Sequence, residues 1–261
     1  MQLPSATTPA TPARRPGDAA IAAGVLLALV LIVLPSTPIL LDLLLAANLL
    51  ISTLLLLLVL PLSGPLELPS FPSLLLLTGL FRLGLAIAAA RLILGVGTGG
   101  AMIEVLGSLV SGGAWVAGVG VFVVLAIVQI AVIAAGASRA AEVAARFSLD
   151  ALPGKQFGID AALSAKAIDG AAAEDQRGRL QAEADFYGAM DGAAKFARGE
   201  AVASVAIVAL TFVAGAGQAV ANAGLSAWQT AVNTYGVLVA GEAATILLPG
   251  LMTCYAAALM V

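Results

Sequence analysis

Glu242 stands in an apolar, Gly- and Ala-rich run directly after Gly241, and Asp191 precedes Lys195 by one helical turn. These are the places where residue type and spacing could do chemistry. A carboxyl at membrane depth can take up and release a proton, and a carboxylate four residues before an ammonium forms a pair that protonation would break. Asp42, Arg82 and Arg91 are further charges in apolar surroundings, each costing from about 2.5 to over 10 kcal/mol at membrane depth. Nine residues separate Arg82 from Arg91, so a helix of about 100° per residue puts them on opposite faces without a common partner. Arg82 is expected to face protein and pair with a carboxylate such as Asp42, and Arg91 to extend to the interface. Asp42 has a second reading, a place near the membrane surface. Glu242 likewise has two readings, a proton carrier or a carboxylate paired with Arg82 or lining a wet interface. Other chemistry is missing: with no histidine and one cysteine, Cys254, there is no intrachain disulfide, His-bearing metal site or catalytic triad. No Asp-rich calcium loop occurs, and the glycines from Gly95 to Gly100 lack a Gly-Lys-Ser/Thr ending, so neither a metal nor a nucleotide cofactor is expected.

The elements that hold these residues follow from composition. The chain has 261 residues, 61% hydrophobic and 10% charged, with mean hydropathy +1.06, which excludes a water-soluble globular surface. A net charge of −3 without a basic stripe argues against nucleic acid as a partner. Eight of the twelve basic and ten of the fifteen acidic residues fall between Ala137 and Glu200, so one polar insert interrupts a lipid-soluble chain. About 20 apolar residues cross a bilayer core, and six stretches approach this: 19–37, 39–60, 72–95, 114–136, 201–220 and 232–251. The expected fold is an all-α, polytopic integral membrane protein. It comprises a disordered tail (1–18), four spans (19–136), a cytoplasmic helical insert (137–200) and two more spans (201–261). Arg14 and Arg15 precede the first span and eight basic residues lie in the insert, whereas the segments 35–38, 96–113 and 221–231 contain no Lys or Arg. The amino terminus and the insert are therefore expected on the cytoplasmic side.

Within the insert, the segment from Arg139 to Phe147 continues the fourth span, and Leu152-Pro153-Gly154-Lys155 predicts a helix break and turn. A second helix is predicted from Ala171 to Arg198, where charges alternate in sign and Phe186, Tyr187, Met190 and Phe196 supply an apolar side. Read from these features alone, the insert is a solvated helical hairpin.

The wording from Arg139 through Ala-Ala-Glu-Val-Ala-Ala-Arg-Phe-Ser-Leu-Asp-Ala-Leu-Pro-Gly-Lys-Gln-Phe-Gly-Ile to Asp160 closely resembles the FHIPEP family, the export-gate proteins of type III secretion. So do Ala184 to Glu200, with its Met-Asp-Gly-Ala-Ala-Lys-Phe, Phe71 to Leu83, and Tyr235 to Glu242. The resemblance runs in order over nearly the whole chain. Leu-Thr-Gly-Leu-Phe-Arg, the short loop after Gly95 and Ile127-Val-Gln129 look more like the injectisome branch than the flagellar one. The departures are Leu152, Phe157 and Ala162 in the first phrase, Ile87-Ala-Ala-Ala before Arg91, Leu62-Ser63 in place of an Arg-Arg pair, and Glu242 where the family has Asp. Family members continue through further spans into a large cytoplasmic domain that receives chaperones and substrates; this sequence stops at Val261 and resembles the membrane half.

The resemblance implies a bacterial inner-membrane export gate coupled to the proton motive force, assembled as a homo-oligomeric, nonameric ring with other export-apparatus membrane proteins. It implies no enzyme activity, and exported protein substrates that engage through the large domain. It makes Asp191, with Glu242, the candidate for proton coupling. Arg139, Glu142, Arg146, Asp150, Lys155, Asp160, Lys195 and Arg198 become a charge network expected between subunits. Two other readings stay open, an ion-coupled transporter for a small solute and a structural membrane fragment.

Overall fold

A computed structural model describes residues 22, 24–26, 30, 37–62 and 64–261. The expected tail, and nearly all of the expected first span, lie outside the described residues.

Thr37 begins α1 (Pro38–Val59): its hydroxyl accepts the Leu40 N–H at 3.4 Å and Pro38 takes the first helical position, where a missing N–H costs nothing. The buried residues Leu41, Leu45, Asn48, Ser52, Leu55 and Val59 recur every three or four positions, giving α1 one protein-facing stripe. Ile39, Leu43, Leu54 and Leu57 remain exposed on the other sides, as suits lipid contact. After a short 3₁₀ turn (Pro65–Glu67) comes α2 (Phe71–Val96), which stops at Gly97 in the left-handed conformation, φ +82°. The expected loop 96–113 contains a helix of its own, α3 (Ala101–Ser111), at about 16 Å too short to cross a bilayer.

From α4 (Trp115–Ile127) the chain passes through a π-helical segment (Val128–Ala134) into α5 (Ala135–Ser164). The break expected at Pro153 does not occur, and α5 runs straight through it. Pro153 and Leu149 are exposed, so the hydrogen bond the proline cannot make is missing on the open side of the helix. The turn comes at 165–169 instead, with Lys166 at φ +57°, and Asp169 caps the next helix by accepting the Ala172 N–H at 2.7 Å. That helix, α6, runs unbroken from Gly170 to Ala223, so the second helix of the insert and the fifth expected span are one element. A 3₁₀ turn (Leu225–Ala227) leads to α7 (Trp228–Leu259).

The described residues are thus all-helical outside turns, and five continuous helical segments are long and apolar enough to cross a membrane. The chain is a polytopic all-α membrane protein. In its most apolar stretch α7 is 78% buried, against 28% for α1, so α7 is the central post and α1 a peripheral helix. Small residues let neighbours approach it: a Cβ on Gly241 would lie 1.8 Å from the Ile103 carbonyl oxygen, and one on Gly107 2.3 Å from that of Val237. The backbones of α3 and α7 therefore touch.

Two apolar clusters fill the interior. One contains Leu85, Ile93, Ile103, Phe122, Val208 and Ile246. The other, on the hairpin side, contains Phe71, Leu75, Phe186, Met190, Cys254 and Met260. A polar layer separates them.

Candidate functional site

That layer is built on Arg82, 1% exposed in the middle of α2. Its Nε donates to Glu200 Oε1 at 2.8 Å, a second guanidinium nitrogen pairs with Glu200 Oε2, and Nη1 donates to Thr253 Oγ1 at 2.9 Å. Ser204, one turn along α6, donates to Glu200 Oε1 at 2.9 Å. Three helices, α2, α6 and α7, are thereby fixed by one forked ion pair whose oxygens and nitrogens find partners. Gln129, 1% exposed in the π-helical segment, approaches the same place: its Nε2 lies 2.5 Å from where a Cβ of Gly250 would stand, and the Arg82 guanidinium carbon lies 3.5 Å from that point. Glycine at 250, just after Pro249 in the helix, is what admits both side chains.

The expected pairing of Arg82 with Asp42 is therefore corrected. Asp42 points instead at the start of α3, where Oδ2 accepts the Ala101 N–H and Oδ1 the Met102 N–H, each at 2.9 Å. A carboxylate from α1 thus caps α3 across space, satisfying donors that a helix leaves open. Gly100 makes room: its φ is +89°, and a Cβ there would sit 2.6 Å from Asp42 Oδ1. Arg91 lies exposed on the face of α2 opposite Arg82.

Glu242 is fully buried in α7. Its Oε1 lies 3.4 Å from the Thr211 hydroxyl of α6, and Oε2 has no hydrogen-bond partner among the described residues. It is not paired with Arg82. Such a carboxyl is at home in the interior when protonated, and ionising it there calls for incoming water or a cation.

The hairpin residues stand apart from this interior. Lys155 binds Glu183 at 3.1 Å and Arg177 binds Asp160 at 2.5 Å, clasping α5 to α6. Arg146 lies 3.7 Å from Glu142 on the next turn of α5. Lys195 donates to Asp191 Oδ2 at 2.8 Å, while Asp191 Oδ1 is buried without a partner among the described residues. The hydrogen bond to Asp191 raises the Lys195 pKa, and the Asp191 and Glu142 charges add to it, so the ammonium keeps its charge at neutral pH. Arg139, Asp150 and Arg198 are exposed.

The structure thus leaves Asp191 and Glu242 on separate parts of the molecule and gives Lys155 and Asp160 partners within the chain, Glu183 and Arg177. Among the described residues no three metal-ligating side chains converge. Glu200, Ser204, Thr211, Gln129 and Thr253 were not picked out from the sequence. The signal for Glu200 was available: a carboxylate at the mouth of a span, with Ser204 at i+4, is a fit partner for an intramembrane arginine 118 residues away.

No solved structure matches the chain. Curated relatives include the flagellar biosynthesis protein FlhA of Caulobacter vibrioides, 42% identical over 250 residues, and the secretion system apparatus protein SsaV of Salmonella typhimurium, 41% identical over 244 residues. Each alignment covers 94% of this chain and 36% of the relative. The low calcium response locus protein D of Yersinia pestis is 38% identical over 231 residues, 88% of this chain and 33% of the relative. The chain spans about a third of the length of these relatives. The FHIPEP family description matches residues 28–261, taking in every helix described above, the Arg82–Glu200 pair, Asp191 and Glu242, and the chain belongs to the FHIPEP family.

Proposed function

We propose that the chain forms the membrane part of a protein-export gate of the flagellar or type III secretion kind, and that it couples export to the proton motive force. The observation that carries this reading is the family match over 28–261, with relatives at about 40% identity named for flagellar biosynthesis and for a secretion system. Glu242 takes up and releases the proton in the span. Asp191 acts as the switch of the hairpin: neutralising it weakens its contact with Lys195 and shifts the hairpin between two arrangements. An exposed pair one turn apart is worth only about 0.3–0.5 kcal/mol, so a further cation, from another subunit, would have to reach Asp191 Oδ1, which is buried and without a partner among the described residues.

In this reading the gate hydrolyses nothing. It sits in the bacterial inner membrane with its amino terminus and the 137–200 insert in the cytoplasm, in a ring of identical subunits among other export-apparatus proteins. Arg139, Asp150 and Arg198, exposed on the hairpin, face neighbouring subunits, and protein substrates pass through the assembly. A chimera tests it: residues 28–261 replace the matched segment of a full-length relative in cells lacking their own gate. Secretion of a reporter substrate that stops when the proton gradient is collapsed is the expected result. A chimera that inserts and assembles but never secretes would sink the reading.

A further inference from the structure

A cleft of about 370 Å³ opens where the end of α2 meets the start of α3 and the first half of α7, lined by Gly97, Glu104, Asn233, Thr234, Val237 and Leu238. Its mouth is polar. Glu104 is exposed and accepts a hydrogen bond from the Thr98 hydroxyl, which itself accepts the Gly100 N–H at 3.2 Å. Asn233 and Thr234 are exposed on α7. The inner limit is apolar: Leu238 is only 5% exposed and belongs to the core. Glu242 comes one turn later, about 6 Å along the axis and within about 40° of Leu238 around it. Leu238, the buried end of the cleft's lining, is thus one turn from a fully buried carboxyl with one oxygen unpartnered among the described residues. The wall opposite α7 is a built one, since Asp42 holds the first turn of α3 by two backbone N–H groups and the α3 and α7 backbones touch at Gly107 and Gly241.

We infer that this cleft is the aqueous entrance through which a proton reaches Glu242, with Leu238 as its gate. The inference rests on the proposal that Glu242 carries a proton. Water entering past Leu238 would supply Oε2 with the partner it lacks and a path for the proton, and the closed leucine keeps the path from becoming a standing leak. Asp42 serves as a positioning residue: it is not among the cleft's lining residues but fixes the helix that forms the wall.

The test uses the full chain in lipid nanodiscs, treated with a water-soluble carbodiimide and glycine ethyl ester, with modification read at each carboxyl by peptide mass spectrometry. Glu104 should react fast, Glu242 slowly and Glu200 hardly at all. In Leu238→Ser the Glu242 rate should rise at least about tenfold, the scale of the barrier set by burying one leucine side chain, with Glu200 unchanged. In Thr234→Phe, which fills the cleft without altering the gate, Glu242 should react more slowly than in the parent. An unchanged Glu242 rate in Thr234→Phe overturns the entrance, as does a rise in Leu238→Ser that Glu200 shares. Export by Glu242→Gln reads the proton role separately, so loss of export there alongside a failed labelling test removes the entrance and leaves the carrier.

Discussion

A guanidinium taken out of water in the middle of α2 is tolerable because Glu200 and Thr253 meet its nitrogens and Ser204 helps hold Glu200. Removing one partner of such a buried pair leaves an uncompensated charge, at about 3–5 kcal/mol, whereas replacing both by apolar groups of similar volume is often neutral. Glu200→Leu should therefore lower the unfolding midpoint in detergent markedly, and Arg82→Met with Glu200→Leu should recover most of the loss. A double variant as unstable as the single one would show that the pair contributes more than mutual neutralisation. Asp191 makes the opposite case, since its bond to Lys195 is half exposed and adds little stability. Asp191→Asn should leave insertion, assembly and thermal stability near those of the parent and abolish export. Retained export in that variant refutes the switch.

At the scale of elements, the contact of α3 with α7 depends on the absence of side chains. A Cβ at Gly241 has only backbone atoms of Ile103 and Gly107 to displace, and overpacking of this kind costs about 1–3 kcal/mol or more. Gly241→Ala should lower stability and loosen α3, seen as faster hydrogen exchange over 101–111. Gly188→Ala, on an open face of α6, should gain about 0.5–1 kcal/mol from helix propensity. Equal effects at the two sites would contradict the packing. Pro153 shows how context overrides a local rule. The residue cannot donate within the helix, yet α5 continues because that turn faces solvent rather than a neighbour that would need the bond.

For the whole molecule, the interior and the hairpin are held by different forces. Among the described residues the spans rest on close packing and the buried Arg82–Glu200 pair, which salt hardly screens. The hairpin tip is clasped by Lys155–Glu183 and Arg177–Asp160, both substantially exposed, each worth about 0–1 kcal/mol and weakened by salt. Raising sodium chloride from 50 mM to 500 mM, with a Debye length falling to about 4 Å, should speed proteolysis near Lys166 while the thermal midpoint of the membrane part stays put. A midpoint that fell in step with tip cleavage would mean the clasp supports the spans. Because α6 is one helix from Gly170 to Ala223, a change of arrangement at Asp191 has a continuous rod along which to reach Glu200 and Thr211, the neighbours of Arg82 and Glu242.

The sequence by itself determined that the chain is helical and membrane-embedded, where the polar insert lies, that Arg82 and Arg91 face opposite ways, and which family phrases it carries. Hydropathy and helical period are local quantities, legible in any window of 20 residues. Only the tertiary structure decided that Arg82 pairs with Glu200 rather than Asp42, that Asp42 caps α3, and that Glu242 meets Thr211. A pairing across 118 residues has no periodic trace, because it depends on which faces of α2, α6 and α7 meet. The unbroken α5 and the continuous α6 were not legible for a related reason. Whether a proline ends a helix is set by what surrounds the turn before it, and solvent there lets the helix pass.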